Sequence, residues 1–147
     1  MVNVRKLLCN IRLMPRKSVR GDESAEARAT CEQPQVESGS TLDFMLSTLS
    51  GEAAAAYVHA VISDIEACAE EGHCSAQCAG KEDLLERVHA LKNAIAPIGS
   101  RQLLAACEQL RLDACHVTDR ALLERRFQAV ARAAVQLVVG FRVASGA

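Results

Sequence analysis

The sequence predicts an all-α protein, and three observations lead to that prediction. Half of the 147 residues are apolar but only 3% are aromatic, whereas sheets favour aromatic and β-branched side chains. Alanine, leucine, glutamate and arginine, which favour helices, are abundant. Apolar residues also recur at spacings of three and four, the period of an amphipathic helix. The chain divides into five such helices joined by short turns, and this arrangement predicts an antiparallel four-helix bundle with a short additional N-terminal helix.

The first 40 residues differ in composition from the rest of the chain. Residues 1–21 contain six basic residues and no acidic one. Residues 22–40 are rich in Glu, Ser, Gly and Gln, and such a segment cannot bury enough apolar surface to offset the entropy of ordering. We therefore expect a flexible N-terminal arm or linker at 1–40 and the helical domain at 41–147. A transit peptide or a membrane-surface segment is the alternative interpretation of the basic part.

The domain begins with a short helix that Ser40 or Thr41 can cap, and Gly51 is expected to end this helix. Its inner face is formed by Leu42, Met45, Leu46 and Leu49. A second helix is predicted from 52 to 69, and residues 71–80 between it and the next helix read as a loop.

Three further helices follow. The first is predicted over residues 82–98, where it carries an apolar stripe, and Gly99 is expected to end it. The next helix is predicted over residues 100–114. The stripe of the first of these consists of Leu84, Val88, Leu91, Ile95 and Ile98. The last helix starts at Thr118 or Asp119 and runs for about 24 residues. Because it is apolar nearly all round after Ala133, we expect it to be the most enclosed element or to carry a partner's contact.

The residue with the most informative chemistry is His89, which lies about 100–140° from the centre of the apolar stripe. Its imidazole keeps a nitrogen lone pair near physiological pH, because the unperturbed pKa is about 6.5, so it can attack phosphorus and carry a phosphoryl group. Lys92, one turn further on, could balance the phosphoryl charge. The sequence has no glycine-rich phosphate loop and no acidic cluster for Mg²⁺. We therefore expect a phosphoryl carrier and not an enzyme.

Residues 89–99, His-Ala-Leu-Lys-Asn-Ala-Ile-Ala-Pro-Ile-Gly, resemble the phosphorylation motif of histidine phosphotransfer (HPt) domains. That motif runs roughly His-x-Leu-Lys-Gly-Ser-Ala-x-x-Leu/Ile-Gly. The resemblance covers roughly residues 41–140, and it implies that His89 is the phosphoacceptor and Lys92 the phosphate-supporting residue. Asn93 stands where the family usually has glycine, and Pro97 occupies a usually helical position.

The resemblance also implies partners for this protein. A response-regulator receiver domain would dock around His89 and supply the aspartate and Mg²⁺, so no cofactor of its own is expected. A sensor histidine kinase is a second expected partner, and the location would be cytoplasmic, either alone or within a larger membrane-bound kinase. The predicted docking residues are Leu85, Glu86, Asn93 and Ala96. The alternative is an HPt-shaped interaction or regulatory domain without phosphotransfer.

Other functions are less well supported by the sequence. Residues 41–147 carry 13 acidic and 10 basic residues, a balance of −3, which disfavours nucleic-acid binding. No apolar run reaches the ~18–20 residues of a membrane span, so we expect none. The seven cysteines form no matched pairs and are expected to be reduced thiols. The run Cys68, His73, Cys74 and Cys78 has no second ligand pair, so no metal site is expected, and a metal or enzyme site in this loop is the remaining alternative.

Overall fold

The computed structural model describes residues 33–70, 81–116 and 119–146, and its regular structure is helical. Helix α1 is short and precedes four long helices, with a 3₁₀ turn between the second and third of these. The bounds are α1 Thr41–Thr48, α2 Gly51–Glu70, α3 Lys81–Ile95, the 3₁₀ turn Ala96–Ile98, α4 Arg101–His116 and α5 Arg120–Ser145. The described residues contain no strand, and the predicted all-α class is confirmed.

The four long helices surround one core. Helix α2 packs against α3 and α5, and α4 packs against the same two helices, so that contacts close a ring. Helix α1 lies against the 3₁₀ turn and also touches α2 and α5. Phe127 of α5 is the largest fully buried side chain, and the buried cluster to which it belongs includes aliphatic residues from every helix. The helices therefore form a bundle-like assembly with its polar surfaces outward.

The junction of α1 and α2 differs from the prediction. Ser40 caps α1 as predicted, because its Oγ accepts a hydrogen bond of 3.2 Å from the Asp43 backbone N–H. Gly51, however, does not end α1 but is the first residue of α2. Helix α1 ends when Leu49 adopts an extended backbone (ψ 152°) while its N–H still donates to the Met45 carbonyl at 2.9 Å. A two-residue turn therefore replaces the left-handed glycine stop.

The end of α3 also differs from the predicted helix over 82–98. The α-helix stops at Ile95 and continues as the 3₁₀ turn. Pro97 has no N–H to donate to the carbonyl of Asn93, and its ring crowds that carbonyl, so regular α-helix cannot pass this point. Gly99 then closes the turn with a left-handed backbone of φ 67°, as predicted for the stop.

A buried ion pair joins α3 to α5, and a glutamine that bonds to it reaches α2. The sequence-based predictions do not include this pair. The side chain of Arg87 on α3 is only 5% exposed, and it donates from Nη1 and Nη2 to the two carboxylate oxygens of Glu124 on α5, at 2.8 and 3.0 Å. Its guanidinium carbon lies 4.5 Å from the ring centroid of Phe127. Gln128 donates both to Glu124 (3.1 Å) and to the Ala69 carbonyl at the end of α2 (2.9 Å).

Helix α5 has both a buried and an exposed apolar part. Asp119 caps it by accepting a hydrogen bond of 3.0 Å from the Leu122 N–H. Among the described residues, α5 is the helix long and apolar enough to cross a membrane by length and composition. The core helix of a soluble protein can have the same composition, and in α5 39% of the most apolar 18-residue stretch is buried. Val139 and Val143 are exposed near its end, where the sequence predicted enclosure or a partner's contact.

Replacing Gly99 tests how the 3₁₀ turn is held against α1. A Cβ at Gly99 would overlap the Cβ of Ser40, and the positive φ disfavours any L side chain. We expect Gly99→Ala to lower the free energy of unfolding by about 1–3 kcal/mol, measured by urea denaturation. Gly140→Ala is the control, because a Cβ there meets nothing within 4 Å, and alanine should add about 0.5–1 kcal/mol in a helix. A Gly99→Ala variant as stable as the unmodified protein would contradict this.

Replacing Arg87 tests the buried pair. Arg87→Met keeps much of the side-chain volume over Phe127 but removes two donors from Glu124, which is 32% exposed. We expect the free energy of unfolding to fall by about 1–3 kcal/mol. Arg101→Met is the matched control, since Arg101 pairs with Glu37 at 2.6 Å but is 84% exposed, and its loss should be about 0–1 kcal/mol. If the two variants lose equal free energy of unfolding, the buried pair stabilises the protein no more than the exposed pair, and this expectation is wrong.

Candidate functional site

His89 is exposed on the outer face of α3. Two residues along an α-helix are separated by about 200° around the axis, so His89 lies nearly opposite Arg87. The buried pair of Arg87 with Glu124 therefore holds α3 in a rotation that turns His89 to solvent. The predicted apolar stripe of α3 and the 3₁₀ turn is buried, as its members Leu84, Val88, Leu91, Ile95 and Ile98 are each at most 5% exposed.

The side chain of Asn93 contacts the ring of His89. Its amide nitrogen Nδ2 lies 3.3 Å from the imidazole Nε2, one helical turn away. An amide nitrogen can only donate, so this contact is a hydrogen bond when Nε2 accepts, which in a neutral ring requires the hydrogen to be on Nδ1. The sequence predicted Asn93 as a docking residue but not this contact. An i, i+4 spacing allows such a pair.

Lys92 belongs to a group of three charges on the surface between α3 and α4. Its Nζ lies 3.4 Å from Glu108 Oε2, and its side chain is 45% exposed. Glu108 Oε1 also accepts from Arg111 Nε at 2.9 Å and from Nη2 at 2.6 Å. Ion pairs between exposed groups are weak in water. The ammonium group can therefore exchange Glu108 for another anion.

The ionisation of this group follows from its contacts. The hydrogen bonds from Arg111, together with the charges of Arg111 and Lys92, lower the pKa of Glu108 below its usual range. The same hydrogen bonds raise the pKa of Arg111. Next to them, burial raises the pKa of the Cys107 thiol to about 12, so this thiol stays neutral and packs in the core. The surface therefore carries a fixed carboxylate between two cations.

The predicted docking residues surround His89. At 100° per residue, Leu85, Glu86 and Asn93 lie within about 60° of His89 around the axis of α3, and Ala96 follows in the 3₁₀ turn. Glu86, Asn93 and Ala96 are exposed. Leu85 is half-buried and packs against the core, so it both widens the apolar stripe and borders the exposed histidine. The four residues form one surface with His89.

Other candidate sites do not coincide with this surface. His73, Cys74 and Cys78 lie outside the described residues, and within the described ranges no three His, Cys, Asp or Glu side chains come together to hold a metal ion. A cleft of about 190 Å³ lies between α2 and α5, and none of its lining residues comes from α3.

Glu108 and Arg111 belong to the candidate site through their contacts, but the sequence analysis does not predict them. Their i, i+3 spacing on a helix could have indicated that they pair with each other. The contact of Glu108 with Lys92 had no such signal, because it depends on how α3 and α4 pack.

Comparison with known proteins adds no identification. The chain matches no protein-family model, and no curated protein or solved structure is significantly similar to it.

Replacing Glu108 tests the charged group by its pH dependence. Because the folded-state pKa of Glu108 is lowered, its stabilising effect is fully present above the unfolded-state value of about 4.3 and is lost as the pH falls through the lower folded-state value. We expect Glu108→Gln to be less stable than the unmodified protein at pH 7, and we expect this difference to shrink steadily as the pH is lowered below the unfolded-state value, measured by urea denaturation. At about 1 M salt the difference at pH 7 should shrink. A difference that persists unchanged at low pH would contradict this.

Proposed function

We propose that this protein is an HPt-type phosphotransfer module that accepts a phosphoryl group on His89 from a receiver-domain aspartate and passes it to another. The observation that carries the proposal is the exposed imidazole of His89 with the amide of Asn93 against it, on a helix whose opposite face is held by a buried ion pair. Lys92, one helical turn further along, has an ammonium group that pairs with Glu108 on the surface. In the transfer step, the Nε2 lone pair of His89 attacks phosphorus, the P–O bond to the aspartate breaks, and the carboxylate leaves. The ring hydrogen stays on Nδ1.

The arrangement of the helices supports the same proposal. An HPt domain is expected to be an antiparallel four-helix bundle with its histidine outward, here with α1 as the short additional helix. The ring of contacts among α2, α3, α4 and α5 agrees with such a bundle. Gly99, ten residues after His89, ends the motif in a turn that α1 covers.

Lys92 has a defined part in this proposal. When the phosphoryl group arrives, its ammonium leaves Glu108 and pairs with the phosphoryl oxygens, a charge-assisted contact. Glu108 keeps its hydrogen bonds to Arg111, so releasing Lys92 does not leave the carboxylate without a partner. The exchange therefore costs little.

The proposed partner is a response-regulator receiver domain in a cytoplasmic two-component phosphorelay, with a sensor histidine kinase upstream. The receiver supplies the aspartate and Mg²⁺, and this chain supplies only the carrier histidine. Leu85 and Ala96 would give the transient interface its apolar contacts, and Glu86 and Asn93 its polar ones.

The second candidate is an HPt-shaped interaction or regulatory domain without phosphotransfer. The observation that favours it is the position of Asn93, whose amide lies against Nε2, the nitrogen that would react. In that case His89 and Asn93 would form a polar part of a binding surface, and no phosphoryl group would be carried.

Phosphotransfer to His89 separates the two candidates. The full chain is incubated with a series of receiver domains carrying labelled aspartyl phosphate, and acid-labile, base-stable label on the chain is measured. We expect label on the unmodified protein and none on His89→Gln. The exposed His59 and His116 provide controls, and their glutamine variants should be labelled normally.

Absence of label from every receiver, or label on His89→Gln, would overturn the proposal in favour of the interaction domain. In the same assay Lys92→Ala should slow transfer or shorten the lifetime of the phosphohistidine, whereas Lys92→Arg should largely preserve both. If rate and lifetime are unchanged in Lys92→Ala, Lys92 has no part in the site.

A further inference from the structure

The contact between Asn93 and His89 has consequences for how the histidine is presented. Both residues lie on α3 one turn apart, so the helix holds their backbones at a fixed separation and only side-chain rotation can break the contact. Both side chains are exposed, and the distance of 3.3 Å from Nδ2 to Nε2 lies at the long end for a hydrogen bond. The contact is therefore present, but either side chain can exchange it for another hydrogen-bond partner.

We propose that Asn93 is a positioning residue that holds His89 in the Nδ1–H tautomer and then donates the same N–H to the phosphoryl group. A neutral imidazole has one N–H and one lone pair. The Asn93 amide places a donor against Nε2, which favours the ring form with its lone pair there. That is the form able to attack phosphorus through Nε2. The donation to the phosphoryl group rests on the proposed phosphotransfer function. The preference for the Nδ1–H tautomer does not depend on it.

The transfer step explains why the donor must move. The Nε2–P bond uses the lone pair that accepts from Asn93, so the amide has to rotate away before the bond forms. Rotation of the side chain brings its N–H groups towards the oxygens of the new phosphoryl group. Asn93 then adds a neutral donor to the charged one from Lys92, and both oppose loss of the group to water. Glycine at this position would leave more room for a partner but would provide no donor.

The first test measures the tautomer and needs no phosphate. The full chain is labelled with ¹⁵N in its histidine rings and studied by NMR at a pH where the rings are neutral, with His89→Gln used to assign the signals. We expect mainly Nδ1–H for His89. In Asn93→Ala the signal should shift towards Nε2–H, the form that free histidine prefers. An identical tautomer in the two proteins would overturn the positioning role.

The second test measures retention of the phosphoryl group without a receiver domain. Phosphoramidate serves as the donor: its P–N bond breaks, the Nε2–P bond of His89 forms, and ammonia leaves. We expect phosphohistidine in Asn93→Ala and Asn93→Gly to hydrolyse about two- to tenfold faster than in the unmodified protein, the effect of one lost hydrogen bond. Asn93→Gln keeps the amide and should restore part of the lifetime.

The outcomes separate this proposal from the proposed function. If neither phosphoramidate nor any receiver phosphorylates His89, the phosphotransfer function and the retention role fall together, and the NMR result alone decides the positioning role. If His89 is phosphorylated but the lifetimes in Asn93→Ala and the unmodified protein are equal, only the retention role is wrong.

Discussion

The rest of the structure depends on the burial of Arg87. An arginine cannot lose its charge in a protein, and a buried charge is costly unless it is paired and hydrogen-bonded. Glu124 and the ring of Phe127 provide that environment, both from α5. Rotation of α3 about its axis would break these contacts and would also expose the buried apolar stripe. The ion pair and the stripe together therefore set which side of the helix faces outward. The exposure of His89 follows from that constraint.

The interactions around His89 are more exposed to water than this buried pair, and they are therefore weaker. Lys92 pairs with Glu108, and Asn93 contacts His89, but all four side chains are at least partly in water. Water screens the charges and competes for the hydrogen bonds. The core therefore holds one arrangement, while the surface can exchange its partners for an incoming anion. The proposed phosphotransfer function would need both properties, a helix held in one orientation and a surface site that can exchange its partners.

Most helix ends could be predicted from local rules, and the errors have local causes. The sequence predicts Ser40 or Thr41 and Thr118 or Asp119 as caps, because such side chains accept from the first turn of a helix, and Ser40 and Asp119 take that role. The predicted stop at Gly51 is wrong: a left-handed glycine stop needs a positive φ, which Gly51 does not have, and Gly51 is the first residue of α2. The α-helical part of α3 ends early because Pro97 removes a donor that the apolar spacing does not register.

The sequence by itself determined the all-α class, the apolar stripe of α3 and the position of His89 beside it, because these depend on the helical period alone. Tertiary structure decided which charged side chains pair with each other. Arg87 meets Glu124 across 37 positions and Lys92 meets Glu108 across 16, and such pairs form only where two helix faces are brought together by packing. The spacing of Asn93 and His89 permits their contact. The packing of α3 decides that this face of the helix is exposed, and only an exposed face can meet a partner.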